Sequence, residues 1–397
     1  MIVVVGTGVT GRAVQRWADA RGEEVLLVDD ADPRPADAVD TSAGLSALAE
    51  ADLIVPSPGV MLSHPVITTA REMGVAISSE IDLASSACSA TLVAVTGTNG
   101  KTTVTTLIDE MLRRSGITAT TAGNIGRPLL DTLDEDVEVV VIEVSSFQLA
   151  TSRSFRPHVA VLLNIADDHL DWHGSFEAYV AAKARIFARQ AGDDVLLYNG
   201  DDQVVADLAG TAPALRRSFS GVSGDSNLVA AMSAARLAGA TDDGISDAVA
   251  AFHTLPHRVA SVGEAGGVHW VNDSKATNPA ATSHAVARFD CVVLIAGGRN
   301  KGLDLGTLRR HDDRLRAVVA IGESANEVEA AFTDLGRPVR RAGSMAAAVA
   351  EAAALACPGD TVLLSPACTS LDWYRNYEER GDDFVAEVRS LIGSSGR

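Results

Sequence analysis

The sequence predicts an α/β protein built of three successive domains with mainly parallel sheets. Short runs of Val, Ile and Leu alternate with Ala-rich helical stretches along the whole chain, and this alternation is typical of parallel strands covered by helices. Two glycine loops follow predicted strands, which is where such folds bind nucleotides. A length of 397 residues allows two or three domains, each with its own core.

Composition excludes several classes of protein. The net charge is −19, and a general nucleic-acid binder needs a basic face, so we expect no nucleic-acid partner. The apolar run at Ile2–Val5 has no preceding basic region and leads into a glycine loop, so it reads as a first strand and not as a signal peptide. No run reaches membrane-spanning length. Four scattered cysteines without metal-ligand spacing suggest reduced thiols and a cytoplasmic protein. We also expect a monomer.

The first predicted domain, residues 1–89, opens with a strand at Ile2–Val5 and the loop Gly6-Thr7-Gly8-Val9-Thr10-Gly11. Further strands are predicted at Glu24–Val28, Asp52–Val55 and Val75–Ser78. Glycines at these spacings let the backbone approach a phosphate at a helix N-terminus. The loop alone is compatible with an NAD-dependent enzyme or with a site for UDP or another nucleotide.

The second predicted domain, residues 90–255, carries a more specific loop. Thr96-Gly97-Thr98-Asn99-Gly100-Lys101-Thr102-Thr103 follows the predicted strand Thr91–Thr96 and opens a helix to Arg114. Its backbone amides would cradle phosphates, Lys101 would reach the β- and γ-phosphates, and the Thr102 hydroxyl would face Mg²⁺. The loop departs from the full P-loop pattern, which has Gly where Val95 stands. It predicts a P-loop-type ATP site.

Three more residues of this domain are candidates for chemistry. Glu143 ends the predicted strand Glu138–Glu143, where a carboxylate beside a phosphate loop can hold Mg²⁺. His169 and Lys183 are weak signals locally, since a single His more often packs or caps and a helical Lys is usually solvated. Lys183 lies on a long helix predicted over Ser175–Arg189.

Lysine is rare in this chain. Only four lysines occur against 29 arginines, and all of them lie in candidate ligand segments: Lys101, Lys183, Lys275 and Lys301. Arginine replaces lysine as a surface cation, but it cannot supply a compact point charge or a free amine. The surviving lysines therefore indicate positions where an ammonium or an amine is needed. The last two belong to the third predicted domain, residues 256–397, with strands at Val268–Asn272, Cys291–Ala296, Ala317–Ile321 and Thr361–Leu364.

Several motifs taken together resemble the Mur ligase family over nearly the whole chain. They occur in one order: the Gly-Lys-Thr loop, Gly123-Asn124-Ile125-Gly126, Glu143-Val144-Ser145-Ser146-Phe147-Gln148, Asp168-His169, Ala182-Lys183, Pro256-His257-Arg258, Asn272–Asn278 and Leu364–Asp372. The Ser-Ser-Phe-Gln-Leu and Ser-Pro-Ala-Cys segments resemble the D-glutamate-adding members. The resemblance implies an N-terminal Rossmann-like UDP-binding domain, a central ATPase and a C-terminal Rossmann-like domain for the amino acid.

The resemblance also implies an activity: ATP-dependent ligation of D-glutamate to UDP-N-acetylmuramoyl-L-alanine through an acyl phosphate, for peptidoglycan precursors. ATP, two Mg²⁺ ions and a carbamylated Lys183 are implied as cofactors. The implied catalytic residues are Lys101, Glu143, His169 and Lys183, and Thr102, Glu143, His169 and Lys183 would hold the metal. ATP would contact Gly97, Thr98, Asn99, Gly100, Lys101, Thr102, Thr103, Asn227, Arg258 and Asp273. The other substrates would contact Gly8, Thr10, Ser57, Asn124, Ser145, Gln148, Lys275, Thr277, Lys301, Ser370 and Tyr377.

The match departs from the family pattern at one segment. Family members usually carry a strand-rich insertion after the stretch that corresponds to Arg216–Ser220, whereas this chain reaches Gly224–Asn227 almost at once. Asn227 remains, but Ala230 stands where the family has a second Asn that usually contacts adenine. Three alternatives therefore stay open: a ligase for L-glutamate or another amino acid, a non-catalytic nucleotide-binding homologue, and an NAD(P) oxidoreductase supported only by the first glycine loop.

Overall fold

The computed structural model describes residues 1–221, 225–252, 255–333 and 336–395, and it confirms the predicted α/β class with three mainly parallel sheets. These residues form two compact units. The first comprises Met1–Ile165 and Trp172–Phe252, and the second comprises Ala166–Asp171 and His253–Arg397. Among the described residues, no helix combines the length and apolar character that crossing a bilayer requires.

The first unit contains two sheets whose paired strands are all parallel. The N-terminal sheet has the order β3-β2-β1-β4-β5, with strands β1 (Ile2–Val5), β2 (Val25–Val28), β3 (Ala38–Val39), β4 (Leu53–Pro56) and β5 (Ala76–Ile77). The central sheet has the order β11-β10-β9-β6-β8-β7, with strands β6 (Thr91–Thr96), β7 (Ala119–Gly123), β8 (Val139–Glu143), β9 (Val159–Leu162), β10 (Val195–Asn199) and β11 (Leu215–Phe219).

The second unit contains the third sheet, in the order β12-β13-β17-β14-β15-β16. Only β12 pairs antiparallel, at an edge. The strands are β12 (Ala260–Ala265), β13 (Val268–Asn272), β14 (Val292–Gly297), β15 (Leu315–Ile321), β16 (Val339–Arg341) and β17 (Thr361–Leu364). The centre of this sheet is apolar on both faces, as expected for parallel strands that helices cover on both sides.

Helices connect the strands. Before residue 252 they are α1 (Val9–Asp19), α2 (Thr41–Ala47), α3 (Pro65–Met73), α4 (Glu80–Ala87), α5 (Lys101–Arg114), α6 (Ser146–Thr151), α7 (Leu170–His173), α8 (Phe176–Ala184), α9 (Gln203–Ala209), α10 (Ser226–Leu237) and α11 (Asp242–Ala251). After residue 255 they are α12 (Pro279–Val286), α13 (Ala325–Phe332), α14 (Met345–Leu355) and α15 (Tyr377–Ser395).

The two sheets of the first unit share a hydrophobic core. One buried cluster contains Ile2 and Ile81 of the N-terminal part together with Leu129, Val140 and Phe155 of the central part. The carboxylate of Asp82 on α4 strengthens this junction, because it accepts hydrogen bonds from the Ser152 hydroxyl and from the backbone amides of residues 153–155. The two parts are thus joined by apolar packing and by a buried carboxylate whose hydrogen bonds are satisfied.

The predicted long helix over Ser175–Arg189 is wrong in its length. Helix α8 ends at Ala184, and the chain continues in turns in which the amides of Arg185, Ile186 and Phe187 bond to carbonyls three residues earlier. Tighter i→i+3 bonding of this kind often replaces the last α-helical turns. In the shortened segment, Val222–Gly224 lie outside the described residues, and so do residues 253–254 beside the predicted boundary at 255. The domain boundaries stay predictions.

Candidate active site

The phosphate loop lies between β6 and α5. β6 is fully buried apart from Thr91, and Gly100 caps α5 with a φ of 88°, in the left-handed region. The left-handed backbone favours glycine at this position, and a Cβ at Gly100 would lie 2.4 Å from Oδ1 of Asn227. Asn227, a predicted ATP contact on α10, is therefore in direct contact with the loop. Lys101 Nζ donates to the Gly97 and Thr98 carbonyls, at 3.0 Å each, and lies over the loop.

Thr102 and Glu143, two of the four predicted metal ligands, are hydrogen-bonded to each other. The Thr102 hydroxyl donates to Glu143 Oε2 over 2.7 Å, and Asn124 Nδ2 donates to Glu143 Oε1 over 2.8 Å. The β6–β8 and β7–β8 pairings align the carboxyl ends of these strands and so bring the three side chains together. Glu143 is buried. Its carboxylate is held between the Thr102 hydroxyl at the first turn of α5 and the side-chain amide of Asn124, which follows β7.

Lys183 reaches the phosphate loop from α8. Its side chain is only 1% exposed, and Nζ donates to the Gly97 carbonyl over 2.8 Å. Nζ also lies 4.7 Å from the ring centre of Tyr179, whose hydroxyl bonds to the Thr98 hydroxyl over 2.9 Å. The structure thus brings together four of the sequence-predicted residues of the first unit, Lys101, Thr102, Glu143 and Lys183, around a single loop. Thr103 lies one residue further on α5, partly buried.

Two further predicted residues of the central domain, Ser145 and Gln148, take structural positions at the start of α6, whereas His169 belongs to the second unit. Ser145 is the N-cap of this helix and Gln148 completes a capping box, with the Gln148 side chain accepting from the Ser145 amide and hydroxyl over 2.9 Å each. Both side chains are largely buried. The capping box fixes the chain direction immediately after Glu143 and Val144.

The N-terminal glycine loop is a separate group in the first unit. A Cβ at Gly11 would lie 2.0 Å from the Gly6 carbonyl oxygen, which explains the glycine there. The predicted Ser57 donates to the same carbonyl over 2.8 Å, whereas Gly8 is exposed at the start of α1 and Thr10 follows on the helix. Asp29 accepts from the Thr7 hydroxyl and amide, and these bonds hold the Asp29 pKa below its usual value.

The second unit holds the remaining candidates in three groups. In the first, Asp273 follows β13 and accepts from the Ser365 hydroxyl over 2.8 Å and from the Val259 amide over 3.2 Å. Burial raises the pKa of Asp273 to about 7, although these hydrogen bonds and Arg258 act in the opposite direction. Arg258, predicted with Asp273 to contact ATP, is therefore one of the positive charges that act on this carboxyl group.

In the second group, Lys275 Nζ lies 3.8 Å from the centre of the Tyr377 ring, a close cation–π contact. Ser274 and the buried Arg380 fix this pair, because the Ser274 hydroxyl donates to the Tyr377 carbonyl and Arg380 donates to the Ser274 hydroxyl and carbonyl. Arg380 also donates to the Cys368 carbonyl over 3.1 Å, two residues before the buried Ser370. Sequence reasoning missed Arg380, whose only signal was an arginine on the apolar face of α15.

In the third group, Lys301 Nζ lies 2.5 Å from Asp168 Oδ1, and Asn278 donates to the other carboxylate oxygen over 2.9 Å. Burial alone would raise the pKa of Asp168, but the positive charges of Lys301 and His169 hold it below its usual value. His169 has a φ of 53° and lies next to this carboxylate, with 3.6 Å between Nε2 and Oδ2. Thr277 precedes Asn278, the N-cap of α12, and is partly buried.

Two polar residues near the phosphate loop were not predicted. Asn164 follows β9, and its side chain accepts from the Asn99 amide over 2.8 Å and donates to the Asn99 carbonyl over 3.0 Å. Tyr179 connects Thr98 to the Lys183 side chain. The signal for Asn164 was its position at the carboxyl end of a parallel strand, where polar residues gather in such sheets. Nothing local marked Tyr179.

The protein side chains alone do not form a complete metal centre. Among the described residues, no three His, Cys, Asp or Glu side chains are grouped closely enough to hold an ion. Mg²⁺ in phosphoryl-transfer sites, however, commonly takes one or two protein oxygens and completes its shell with phosphate oxygens and water. The buried Glu143 carboxylate and the Thr102 hydroxyl are hard oxygen donors of this kind, so the residues fit such an ion.

Three family models match three successive segments of the chain, and each segment corresponds to one of the three sheets. The model of the Mur ligase MurD-like N-terminal domain matches residues 1–79, that of the Mur ligase middle domain matches residues 95–250, and that of the Mur ligase glutamate ligase domain matches residues 257–368. Each match contains most of one sheet, and together they cover the greater part of the chain.

Curated relatives extend the similarity to the full length. The UDP-N-acetylmuramoylalanine–D-glutamate ligase of Desulfosudis oleivorans is 41% identical, over 98% of this chain and 96% of that protein. The enzyme of the same name from Frankia casuarinae is 40% identical, over 99% of this chain and 94% of that protein. The first alignment runs over 442 positions against the 397 residues of this chain, so the relatives contain segments that this chain lacks.

Solved structures share the fold at lower identity. The UDP-N-acetylmuramate–alanine ligase MurC of Thermotoga maritima has a TM-score of 0.58 at 16% identity, over 98% of this chain and 99% of that one. The MurF ligase of the same organism, solved in complex with ADP, has a TM-score of 0.60 at 20% identity, over 86% and 90% of the two chains. With the family matches and the curated relatives, these findings show that the chain belongs to the Mur ligase family.

Proposed function

We propose that this protein is an ATP-dependent ligase that joins D-glutamate to UDP-N-acetylmuramoyl-L-alanine, a step in making peptidoglycan precursors. The observation that carries the proposal is the arrangement of Lys101, Thr102 and Glu143 around the loop between β6 and α5. It supports phosphoryl transfer from a nucleoside triphosphate. The curated relatives named UDP-N-acetylmuramoylalanine–D-glutamate ligase, which are 41% and 40% identical over nearly the whole chain, support the choice of substrates.

The phosphate loop would bind ATP. Residues 97–103 would surround its phosphates, with Lys101 as a point charge beside the transferred group and Asn227 in contact with the loop at Gly100. Mg²⁺ held by Glu143 and Thr102 would neutralise charge on the phosphate oxygens when bound. The ADP complex of the similarly folded MurF ligase supports nucleotide binding. Arg258 and Asp273 would contact the same nucleotide.

Lys183 would act as a carbamate that, with His169, helps to hold a second Mg²⁺. The amine would add to CO₂ and lose a proton, giving an anionic oxygen ligand that an arginine cannot form. Burial of Lys183 against the Gly97 carbonyl and the Tyr179 ring supports this role, since a lysine that served only as a solvated surface cation would be exposed. The carbamate oxygens would extend from α8 toward the phosphate loop.

The chemistry would proceed in two steps. A carboxylate oxygen of the alanyl group attacks the γ-phosphorus of ATP, and ADP leaves, which gives an acyl phosphate. The amine of glutamate then attacks the acyl carbon, loses a proton and expels inorganic phosphate, which leaves an amide bond. Little covalent chemistry falls to the protein, so positioning and charge neutralisation by Lys101 and its neighbours would supply most of the rate enhancement.

Three groups of residues would hold the other substrates. The UDP part would contact the loop of Gly8 and Thr10 and the neighbouring Ser57, which bonds to the Gly6 carbonyl. Asn124, Ser145 and Gln148 would contact the muramoyl-alanyl part. Glutamate carries two carboxylates and would need cations and hydroxyls. Five residues of the second unit would supply them: Lys275, Thr277, Lys301, Ser370 and Tyr377.

The decisive experiment measures phosphate release with each substrate omitted in turn. A ligase releases phosphate only when ATP, UDP-N-acetylmuramoyl-L-alanine and the amino acid are all present, and mass spectrometry of the product identifies the new amide. A non-catalytic nucleotide-binding protein would show no release. Parallel assays with D- and L-glutamate test stereochemistry, and preference for L-glutamate would contradict the proposal. We also propose that the protein is cytoplasmic and monomeric. Sedimentation of the purified chain tests the monomeric state.

A further inference from the structure

A second concave site lies in the first unit, away from the phosphate loop. It is a cavity of 420 Å³ lined by four arginines, Arg71, Arg153, Arg185 and Arg189, together with small and apolar side chains. Arg71 comes from the last turn of α3, Arg153 from the loop after α6, and the other two from the turns that follow α8. Three separate segments therefore contribute positive charge to one pocket of a protein whose net charge is −19.

The charge in this pocket is not balanced by the described residues that surround it. None of the four guanidinium groups lies within 4.0 Å of a carboxylate of the described chain, whereas the neighbouring Arg156 pairs with Asp194. Arg153 and Arg71 lie close enough to Arg185 for the three positive charges to repel one another. Mutual repulsion of this kind is relieved when an anion binds among the cations.

An acidic group close to Arg185, the carboxylate of Asp82, is already occupied by other donors. Asp82 acts on Arg185, but its carboxylate is buried and accepts from the hydroxyls of Ser78 and Ser152 and from four backbone amides. These bonds hold the loop that carries Arg153 in one conformation. The pocket is thus preorganised, and its described lining holds four arginines and no Asp or Glu.

Arg185 also neutralises backbone carbonyl oxygens that would otherwise repel an anion in the pocket. The end of α6 presents backbone carbonyls, which carry partial negative charge. Arg185 donates to the carbonyls of Leu149, Ala150 and Ser152, so these oxygens are covered by a cation. Arg189 similarly donates to the Arg153 carbonyl over 2.8 Å. The side chains of Arg71 and Arg153 remain exposed at the pocket, and guanidinium groups suit bidentate contact with phosphate oxygens.

We propose that this pocket is a binding site for a phosphorylated small molecule that carries at least two negative charges. The volume falls within the range of small-molecule sites, and Ile77 and Phe155 supply apolar lining for the part of the ligand that bears the phosphoryl groups. A concave pocket of this size suits a small molecule better than an extended acidic chain.

The site is distinct from the candidate active site and independent of the proposed function. The two share no residue. Lys183 bonds to the phosphate loop, whereas Arg185, two residues later, bonds to the far end of α6. Helix α6 begins beside Ser145 in the candidate active site and ends at the arginine pocket. Helix α3 and the turns that follow α8 contribute the other walls of the pocket.

The test is calorimetric titration of the whole protein with inorganic pyrophosphate, without Mg²⁺. Lys101→Ala is introduced first, because pyrophosphate also suits the ATP loop. The double substitution Arg71→Gln with Arg153→Gln is then added to the Lys101→Ala protein. It leaves Arg185 and its hydrogen bonds to the end of α6 in place. A matched control, Arg216→Gln with Arg217→Gln, removes two exposed charges from β11. Urea unfolding midpoints establish that all variants fold.

We expect Lys101→Ala to retain one pyrophosphate site, and Arg71→Gln with Arg153→Gln to weaken it at least ~10-fold, about 1.4 kcal/mol. The control pair should stay within ~2-fold, and orthophosphate, with fewer charges, should bind more weakly than pyrophosphate. Loss of all pyrophosphate binding in Lys101→Ala, or equal weakening by both arginine pairs, would overturn the proposal. So would binding to phosphatidylglycerol vesicles without binding of free pyrophosphate, because the ligand would then be a lipid surface.

Discussion

The Thr102 hydroxyl donates a hydrogen bond to Glu143 Oε2 over 2.7 Å and so joins the first turn of α5 to the end of β8. The other carboxylate oxygen accepts from Asn124 Nδ2. Both oxygens of Glu143 are acceptors in these contacts, which an ionised carboxylate satisfies without a proton. The pair therefore presents an oriented, negatively charged group beside a loop that is shaped for phosphates.

Glu143→Gln should lower turnover by at least ~10²-fold, on the scale of losing one preorganised electrostatic group. The glutamine amide would place an NH₂ group against one of the two donors, and the charge that attracts Mg²⁺ would be gone. Steady-state ligase assays over a range of Mg²⁺ concentrations check this. Glu135→Gln is the control, because it removes an exposed carboxylate that forms an ion pair with Arg127. Equal activity of both variants would show that Glu143 is structural.

Lys101→Ala should also lower turnover by at least ~10²-fold while leaving the urea unfolding midpoint nearly unchanged. Lys101 Nζ donates to two loop carbonyls at the start of α5, so its role is judged by separating the effect on turnover from the effect on folding. Arg113→Ala, on the exposed end of the same helix, is the comparison for an effect on α5 stability. Near-normal phosphate release by Lys101→Ala would contradict the role given to this residue.

Discrimination between nucleotide bases should be weak. Ala230 is fully buried in the core around α10 and has no hydrogen-bonding side chain, and it stands where the family usually has an adenine-contacting Asn. We expect GTP to support turnover within ~10-fold of ATP, about 1.4 kcal/mol. Competition between the two nucleotides in one assay measures the ratio directly. Strict selectivity for ATP would mean that other residues read the base.

Glu80 should make the protein less stable as the pH rises. Its Oε1 accepts from the Leu130 amide, but Oε2 is buried without a hydrogen-bond partner in the described structure, and burial raises the Glu80 pKa from 4.5 to about 7. The folded state therefore holds the proton more tightly than the unfolded chain. The resulting stabilisation is complete below pH 4.5 and is lost as the pH rises through about 7.

Glu80→Gln keeps an acceptor for the Leu130 amide and cannot ionise, so it should remove that loss. At pH 8 the variant should be more stable than the parent by on the order of 2 kcal/mol, and the difference should shrink toward pH 5. Urea unfolding at several pH values gives the comparison. Stabilities that differ by the same amount at pH 5 and pH 8 would show that Glu80 is not the group responsible.

Local signals explain how far the sequence could go. The phosphate loop was predictable, because an apolar strand, glycines and a Lys-Thr pair follow one another within 13 residues from Thr91 to Thr103. The edge strand β11 was not, since four of its five residues, Leu-Arg-Arg-Ser, are exposed and show no alternation. The Asp168–Lys301 pair joins residues 133 positions apart, and no local pattern marks a partner at that distance. Loops formed by consecutive residues could be predicted from the sequence. Contacts between residues far apart in the sequence could not.

Lys183→Arg should be as inactive as Lys183→Ala although it conserves the positive charge, because a carbamate needs a primary amine. Burial of Lys183 adds a second effect: the larger guanidinium must fit where Nζ lies 2.8 Å from the Gly97 carbonyl and faces the Tyr179 ring. Urea unfolding separates misfolding from loss of chemistry. Formate or acetate should partly restore Lys183→Ala by supplying an oxygen ligand in the vacated space, and should not restore Lys183→Arg, whose side chain fills it. Substantial activity of Lys183→Arg without added carboxylate would show that the residue serves only as a cation.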